Sequence, residues 1–313
     1  MAAAVLRTDE ARFAALEDFP FTPRYVSLGD ARFGPLRMAA IDEGPREAPV
    51  ALLLHGEPTW SYLYRSIIPR VTAAGFRAVA PDFIGFGRSD KLAARGDYSY
   101  DAFVAWLRDF VEALDLTRVT LVCQDWGGPI GLRVLAEQPQ RFAAVLAANT
   151  ILPNCEAPPR GIAVWPGTLI ENWVATATAA TDLPVSGIIA SVCRRAPPAQ
   201  ALRAYDAPFP DASYKSGVLA FPGLIPIRAD MPGIAENRRA WAVLERFNKP
   251  FVTAFSDGDP TTAPWAEVFR ARIPGAAGQP HPTIRDAGHF LQEEQGAAFA
   301  RVLIELLRRA AGR

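Results

Sequence analysis

The run Leu121-Val122-Cys123-Gln124-Asp125-Trp126-Gly127-Gly128 sets a single carboxylate between an apolar stretch and a pair of glycines. Arg118 to Val122 reads as a strand, followed by a small residue, a variable one, Asp125, another variable one and the glycines. That spacing suits a sharp strand-to-helix elbow, because only small neighbours let the backbone turn so tightly. The side chain at the tip is pushed out over the sheet edge toward substrate. A carboxylate there is already ionised at pH 7, so it displaces a leaving group from carbon without a base to activate it. An aspartate that merely caps a glycine-started helix is the plain alternative for this run taken alone.

Such a nucleophile needs a histidine and a second acid, in the chain order nucleophile, acid, histidine. The chain has only three histidines. His281 lies between two prolines and reads as a surface loop residue. His55 follows an apolar strand inside His55-Gly56-Glu57-Pro58. His289, in Asp286-Ala287-Gly288-His289-Phe290, falls between the last strand and the last helix, where a base is expected. For the acid, Asp259 in Ser256-Asp257-Gly258-Asp259-Pro260 is preferred over Asp257, since tandem acids in turns often only cap. The backbone N–H groups of Glu57 and Trp126 are expected to converge as an oxyanion site.

The elements that must carry these residues alternate. Val50 to Leu54, Ala78 to Ala80, Val119 to Val122 and Ala143 to Ala148 read as buried strands. Between them, Ser61 to Ala74, Asp101 to Leu116 (with Asp101 as cap) and Pro129 to Glu137 read as helices. From residue 153 to about 228 the chain is proline-rich, with helix-like stretches and no comparable strand. The rhythm then returns with strands at Pro250 to Phe255 and Thr283 to Arg285, and helices at Ala263 to Arg272 and Gly296 to Arg309. This predicts a mostly parallel α/β sheet flanked by helices (1–152 and 229–313), interrupted by an inserted helical cap (153–228).

Composition narrows the class. Half of the 313 residues are apolar and the formal net charge is zero, without basic or acidic blocks. Nucleic acid and anionic membranes are therefore not expected as partners. Three cysteines (Cys123, Cys155, Cys193) without metal-ligand spacing suit a reducing compartment, and no apolar run approaches a signal peptide or a membrane span. The expectation is a cytoplasmic soluble protein.

Several stretches carry a resemblance to the haloalkane dehalogenases of the α/β-hydrolase fold. They are His55-Gly56-Glu57-Pro58-Thr59-Trp60-Ser61-Tyr62-Leu63-Tyr64-Arg65, Pro81-Asp82-Phe83-Ile84-Gly85-Phe86-Gly87-Arg88-Ser89-Asp90-Lys91, Gln124-Asp125-Trp126-Gly127-Gly128, Ala207-Pro208-Phe209-Pro210-Asp211 and Asp286-Ala287-Gly288-His289-Phe290. The glutamate in His-Gly-Glu-Pro resembles the subfamily in which two tryptophans hold the halide. The resemblance implies Asp125 as nucleophile, His289 as base, Asp259 as supporting acid, and Trp126 as the first halide-binding indole. Trp173 of the lid is the second, with Trp165 as alternative. It further implies small haloalkane and water as substrates, a halide ion as product, and neither metal nor organic cofactor. Phe209, Phe221 and Pro222 are expected to supply apolar surface to the substrate pocket. Two other readings stay open: an epoxide hydrolase using lid tyrosines Tyr205 or Tyr214, and a non-catalytic small-molecule-binding member of the fold.

Overall fold

The computed structural model describes residues 5–156 and 168–312. In chain order it runs through β1 (Val5–Leu6), β2 (Arg24–Asp30), β3 (Gly34–Glu43), β4 (Val50–Leu54), α1 (Ile68–Ala73), β5 (Arg77–Pro81) and β6 (Lys91–Leu92). Then come α2 (Tyr100–Ala113), β7 (Val119–Asp125), α3 (Gly127–Glu137) and β8 (Phe142–Thr150). Helices α4 (Thr168–Ala179), α5 (Val185–Val192), α6 (Ala199–Asp206) and α7 (Ser216–Leu224) follow. The chain finishes with α8 (Ile234–Leu244), β9 (Phe251–Thr253), α9 (Pro264–Arg272) and α10 (Leu291–Ala310).

Seven strands form one sheet in the order β2-β3-β5-β4-β7-β8-β9. β3 is antiparallel to both of its neighbours, and every other pairing is parallel. β4 is buried at every position, as a strand covered on both faces must be. Strand order reverses around β4, so the carboxyl ends of β4 and β7 open a crevice between them, the usual ligand position in such sheets. The register pairs Leu54 with Cys123, which brings Gly56-Glu57 out beside Asp125.

Several local expectations are corrected. The stretch from Ser61 to Ala74 is not one helix but a 3-10 turn, Ser61–Tyr64, followed by α1. Pro69 lacks the N–H that would continue a helix and is tolerated only in a first turn, so the helix restarts there. Ser99, not Asp101, caps α2 by accepting from the Ala102 N–H; Asp101 instead pairs with Arg133 at 2.7 Å. Thr283 to Arg285 makes only a single bridge, Ser256 to Ile284. The β2–β3 hairpin and α8 were not anticipated. The hairpin is visible in retrospect as the alternation of Val26 and Leu28, both buried, with exposed Ser27 and Gly29. α8 is fastened by Trp241, whose indole N–H donates to the Leu152 carbonyl at 2.9 Å. No helix among the described residues is long and apolar enough to cross a membrane.

Candidate active site

β7 ends on Asp125, which sits at φ +50°. This left-handed conformation is uncommon for a residue with a side chain and persists only where surroundings impose it. The surroundings here are identifiable. Thr150 Oγ1 donates to the Asp125 carbonyl at 2.6 Å, holding the elbow from β8. A Cβ at Gly56 would run into the Asp125 carboxylate, and one at Gly128 into the Thr150 side chain. Glycine at both positions is what lets the elbow close. The Glu57 N–H then donates to Asp125 Oδ1 at 2.7 Å. The Trp126 N–H belongs to the residue that caps α3, where helical geometry supplies no acceptor.

His289 reaches the same carboxylate from the opposite side. Its Nε2 lies 3.3 Å from Asp125 Oδ2 and its Nδ1 2.8 Å from Asp259 Oδ2. Burial alone would lower the His289 pKa, but the Asp259 and Asp125 carboxylates and their hydrogen bonds outweigh it and raise it to about 10. In the resting site the ring is therefore an imidazolium between two carboxylates. Asp259, itself 4% exposed, is pushed up by desolvation and pulled down more strongly by His289 and by bonds from Thr262 and Thr261, so it stays ionised. Asp257, the competing acid, instead pairs with Arg194 at 3.2 Å at the surface.

The other histidines are structural. His55 is fully buried, with Nδ1 on the Gly56 carbonyl at 2.9 Å and Nε2 accepting from the Phe83 N–H at 3.0 Å; burial lowers its pKa to about 4. His281 is not a free surface residue. It is half-buried, accepting from the Thr253 N–H at 3.1 Å and contacting the Ala276 carbonyl at 2.9 Å, so it ties β9 to the loop after α9.

Asp125, Trp126, Glu57, Asp259, His289 and Trp173 all line one cavity of about 410 Å³. Most of the remaining wall is apolar: Leu169, Ile170, Ile188, Val192, Ile225, Pro226, Ile151, Pro129 and Pro153. Among the described residues, the indole N–H groups of Trp126 and Trp173 have no protein acceptor. Those of Trp60, Trp106 and Trp241 are spent on Ala204, Asp30 and Leu152. Trp165 lies outside the described residues. Glu57 carries a carboxyl oxygen with no hydrogen-bond partner. Burial, reinforced by the Asp125 charge and opposed by His289, pushes this carboxyl well above the usual carboxylate range.

The expected wall residues Phe209, Phe221 and Pro222 are not part of the cavity lining. Phe221 points inward from α7 and stacks on Trp126 (ring centroids 4.6 Å), Phe103 (4.4 Å) and Phe86 (4.9 Å). Pro222 is buried on the same helix. Phe209 is buried where the N-terminal segment meets the loop after α6, next to Pro208, whose carbonyl accepts from Thr8 Oγ1 at 2.6 Å. The wall is supplied instead by the chain just beyond α7, at Ile225 and Pro226. Phe221 thus acts from behind, holding the Trp126 ring, which Tyr100 also meets edge-on at 5.4 Å.

Sequence reading missed three contributors. Gln124, taken as a variable residue, is fully buried with its amide 3.1 Å from His289 Nε2 and 3.2 Å from the His289 carbonyl. Thr262 bonds Asp259 Oδ2 at 2.6 Å. Glu294 accepts from the Gly288 N–H at 2.6 Å and from the Arg194 and Arg195 N–H groups at 3.1 and 2.9 Å, seating the segment after α5 on the histidine loop. The last residue of α5 also takes the His289 N–H, on the Val192 carbonyl at 2.9 Å. Only the proximity of Gln124 to Asp125 in sequence signalled any of this. Tyr205, a candidate epoxide acid, donates its hydroxyl to Glu293 at 2.7 Å, and neither it nor Tyr214 lines the cavity.

Comparison with known proteins agrees with this geometry. A family model described as alpha/beta hydrolase fold matches residues 49–174. The chain is 46% identical to a haloalkane dehalogenase of Psychrobacter cryohalolentis over 97% of its length and 98% of the relative. It is also 46% identical to one of Mycobacterium marinum over 96% of its length and 98% of the relative. The solved haloalkane dehalogenase of Paraglaciecola agarilytica NO2 superposes with a TM-score of 0.84 at 36% identity, covering 99% of this chain and 98% of that one. An α/β-hydrolase sheet with an aspartate at its elbow, matched nearly end to end by these relatives, makes the chain a member of the haloalkane dehalogenase family.

Proposed function

We propose that this protein hydrolyses the carbon–halogen bond of small haloalkanes through a covalent alkyl ester on Asp125. One observation carries the reading. The Asp125 carboxyl, a histidine already linked to a second acid, and two indoles without protein acceptors among the described residues share one apolar-walled cavity. In the first step an Asp125 oxygen attacks carbon in line and the halide leaves with the bonding pair. Charge accumulates on the departing halide, and Trp126 and Trp173 hydrogen-bond it without an opposing charge that would hold the product too tightly.

Alkylation removes the Asp125 charge and with it one of the causes that keep His289 protonated. The imidazolium then gives its proton to solvent and the neutral ring becomes a base. It deprotonates a water that attacks the ester carbonyl, while the Glu57 and Trp126 N–H groups hold the oxyanion. Collapse releases the alcohol and restores the Asp125 carboxylate beside a protonated His289. The sum is haloalkane plus water giving alcohol, halide and one proton. Asp259 orients the ring and stabilises its charged form throughout.

In this reading 153–228 is the cap, 1–152 and 229–313 are the two parts of the core, and the three free thiols suit the cytoplasm. The test is halide and proton release from 1-chloro-, 1-bromo- and 1,2-dihaloalkanes, with styrene oxide alongside and Asp125→Ala as control. Turnover of haloalkanes alone, lost in Asp125→Ala, supports the reading. Diol formation from styrene oxide without halide release overturns it.

A further inference from the structure

Asp259 divides its two oxygens between two jobs. Oδ1 accepts from the Thr261 N–H at 3.1 Å, which fixes the turn leading into α9. Oδ2 accepts twice, from His289 Nδ1 at 2.8 Å and from Thr262 Oγ1 at 2.6 Å. Thr262 is 3% exposed, so its hydroxyl has little water to turn to. Its backbone is held as well, since the Trp265 N–H donates to the Thr262 carbonyl at 2.9 Å. The hydroxyl is therefore aimed at the one carboxylate oxygen that faces the base.

We propose that Thr262 is a positioning residue for the dehalogenation: its hydroxyl fixes which Asp259 oxygen faces His289 and moderates the basicity of that oxygen. The inference rests on the proposed two-step reaction. A carboxylate oxygen that already accepts a short O–H bond shares its negative charge with that donor and holds a neighbouring imidazolium less tightly. Ester hydrolysis needs His289 to surrender its proton before it acts as base, so too basic an Asp259 would lock the ring in its charged form. Thr262 keeps that hold below the point at which the base is lost. A hydrogen bond to a charged group is stronger than one between neutral groups, and part of its effect is felt one bond further on, at His289.

Other groups face the same ring and stay unchanged in the test. They are Asp125 at the end of β7 and Glu57 after β4. Around the histidine loop are Glu293 and Glu294 on α10, and Cys193 and Arg194 in the segment after α5.

The experiment compares Thr262→Val, which keeps shape and loses the hydroxyl, with Thr262→Ser, which keeps the hydroxyl. The readout is the single-turnover rate of ester hydrolysis against pH, following alcohol formation from a bromoalkane. Thr262→Val should move the acid limb of that profile up by about half a unit to one unit, ~3- to 10-fold in neutral imidazole at a given pH. Thr262→Ser should overlay the unsubstituted enzyme. An unmoved or lowered limb in Thr262→Val, or a Thr262→Ser profile matching that of Thr262→Val, overturns the inference. A purely structural threonine would lower the melting temperature of Thr262→Val and leave the limb in place. Absence of halide release from the unsubstituted enzyme would instead count against the dehalogenase reading itself.

Discussion

Replacing Trp173 by phenylalanine separates a halide site from mere packing. The ring stays apolar and nearly fills its place on α4, so the change removes chiefly one N–H from the cavity wall. A hydrogen bond to a charged group contributes about 1.5–3 kcal/mol. At 1.4 kcal/mol per tenfold, bromide affinity should fall between about tenfold and about a hundredfold. The same donor acts on charge that develops only as the bond breaks, so the rate of halide formation should fall by roughly one to three powers of ten. Bromide or iodide titration read by tryptophan emission gives the first quantity, because saturable quenching comes from the indoles at the site. Halide release under single-turnover conditions gives the second. Trp126→Phe should behave alike. Trp60→Phe, whose N–H is already spent on the Ala204 carbonyl, should leave the quench intact. If Trp173→Phe keeps both the quench and the rate, the two-indole site is wrong; a loss on Trp165→Phe instead would move the second donor to that residue.

The raised His289 pKa has a stability consequence of definite sign. Its folded value of about 10 exceeds the ordinary 6.5, so its contribution is fully present below about pH 6.5 and is lost as pH rises through about 10. Denaturant melts should show that alkaline decline in the unsubstituted protein and a flatter one in His289→Gln; parallel curves would refute the assignment. Phe221 is fully buried beneath Trp126, and Phe221→Ala should cost about 3–5 kcal/mol in chemical denaturation. It should also weaken bromide quenching, because the indole loses its stacking surface; an unchanged halide affinity would mean Trp126 is held by Tyr100 alone.

The residues proposed to react, which the fold brings together in one cavity, were legible because their signals are local. A carboxylate between a strand and paired glycines, an acid after the penultimate strand and a histidine after the last one each announce themselves within a few residues. The cavity wall was not legible, because α7 is apolar on nearly every side and sequence alone does not say which face meets the core. Phe221 therefore turned out to support Trp126 from behind, while Ile225 and Pro226, just past the helix end, reached the cavity. Gln124, Thr262 and Glu294 escaped notice for a different reason. Each is a common polar residue whose role exists only once His289, 27 or more positions away from Gln124 and Thr262, is folded against it, or once the segment after α5 lies on the loop that Glu294 holds. His281 shows the converse error: two flanking prolines suggested an exposed loop, yet the imidazole bridges β9 to the turn after α9.

The central claim is that displacement by Asp125 precedes, and does not require, base catalysis by His289. His289→Gln mixed with excess bromoalkane tests it most directly, with bromide measured by rapid quench and the intact protein weighed afterwards. The account predicts a burst of one equivalent of bromide per active site, no sustained turnover, and a persistent mass increase equal to the alkyl group, located on Asp125. Sustained turnover near the unsubstituted rate, or no burst and no adduct, would contradict it.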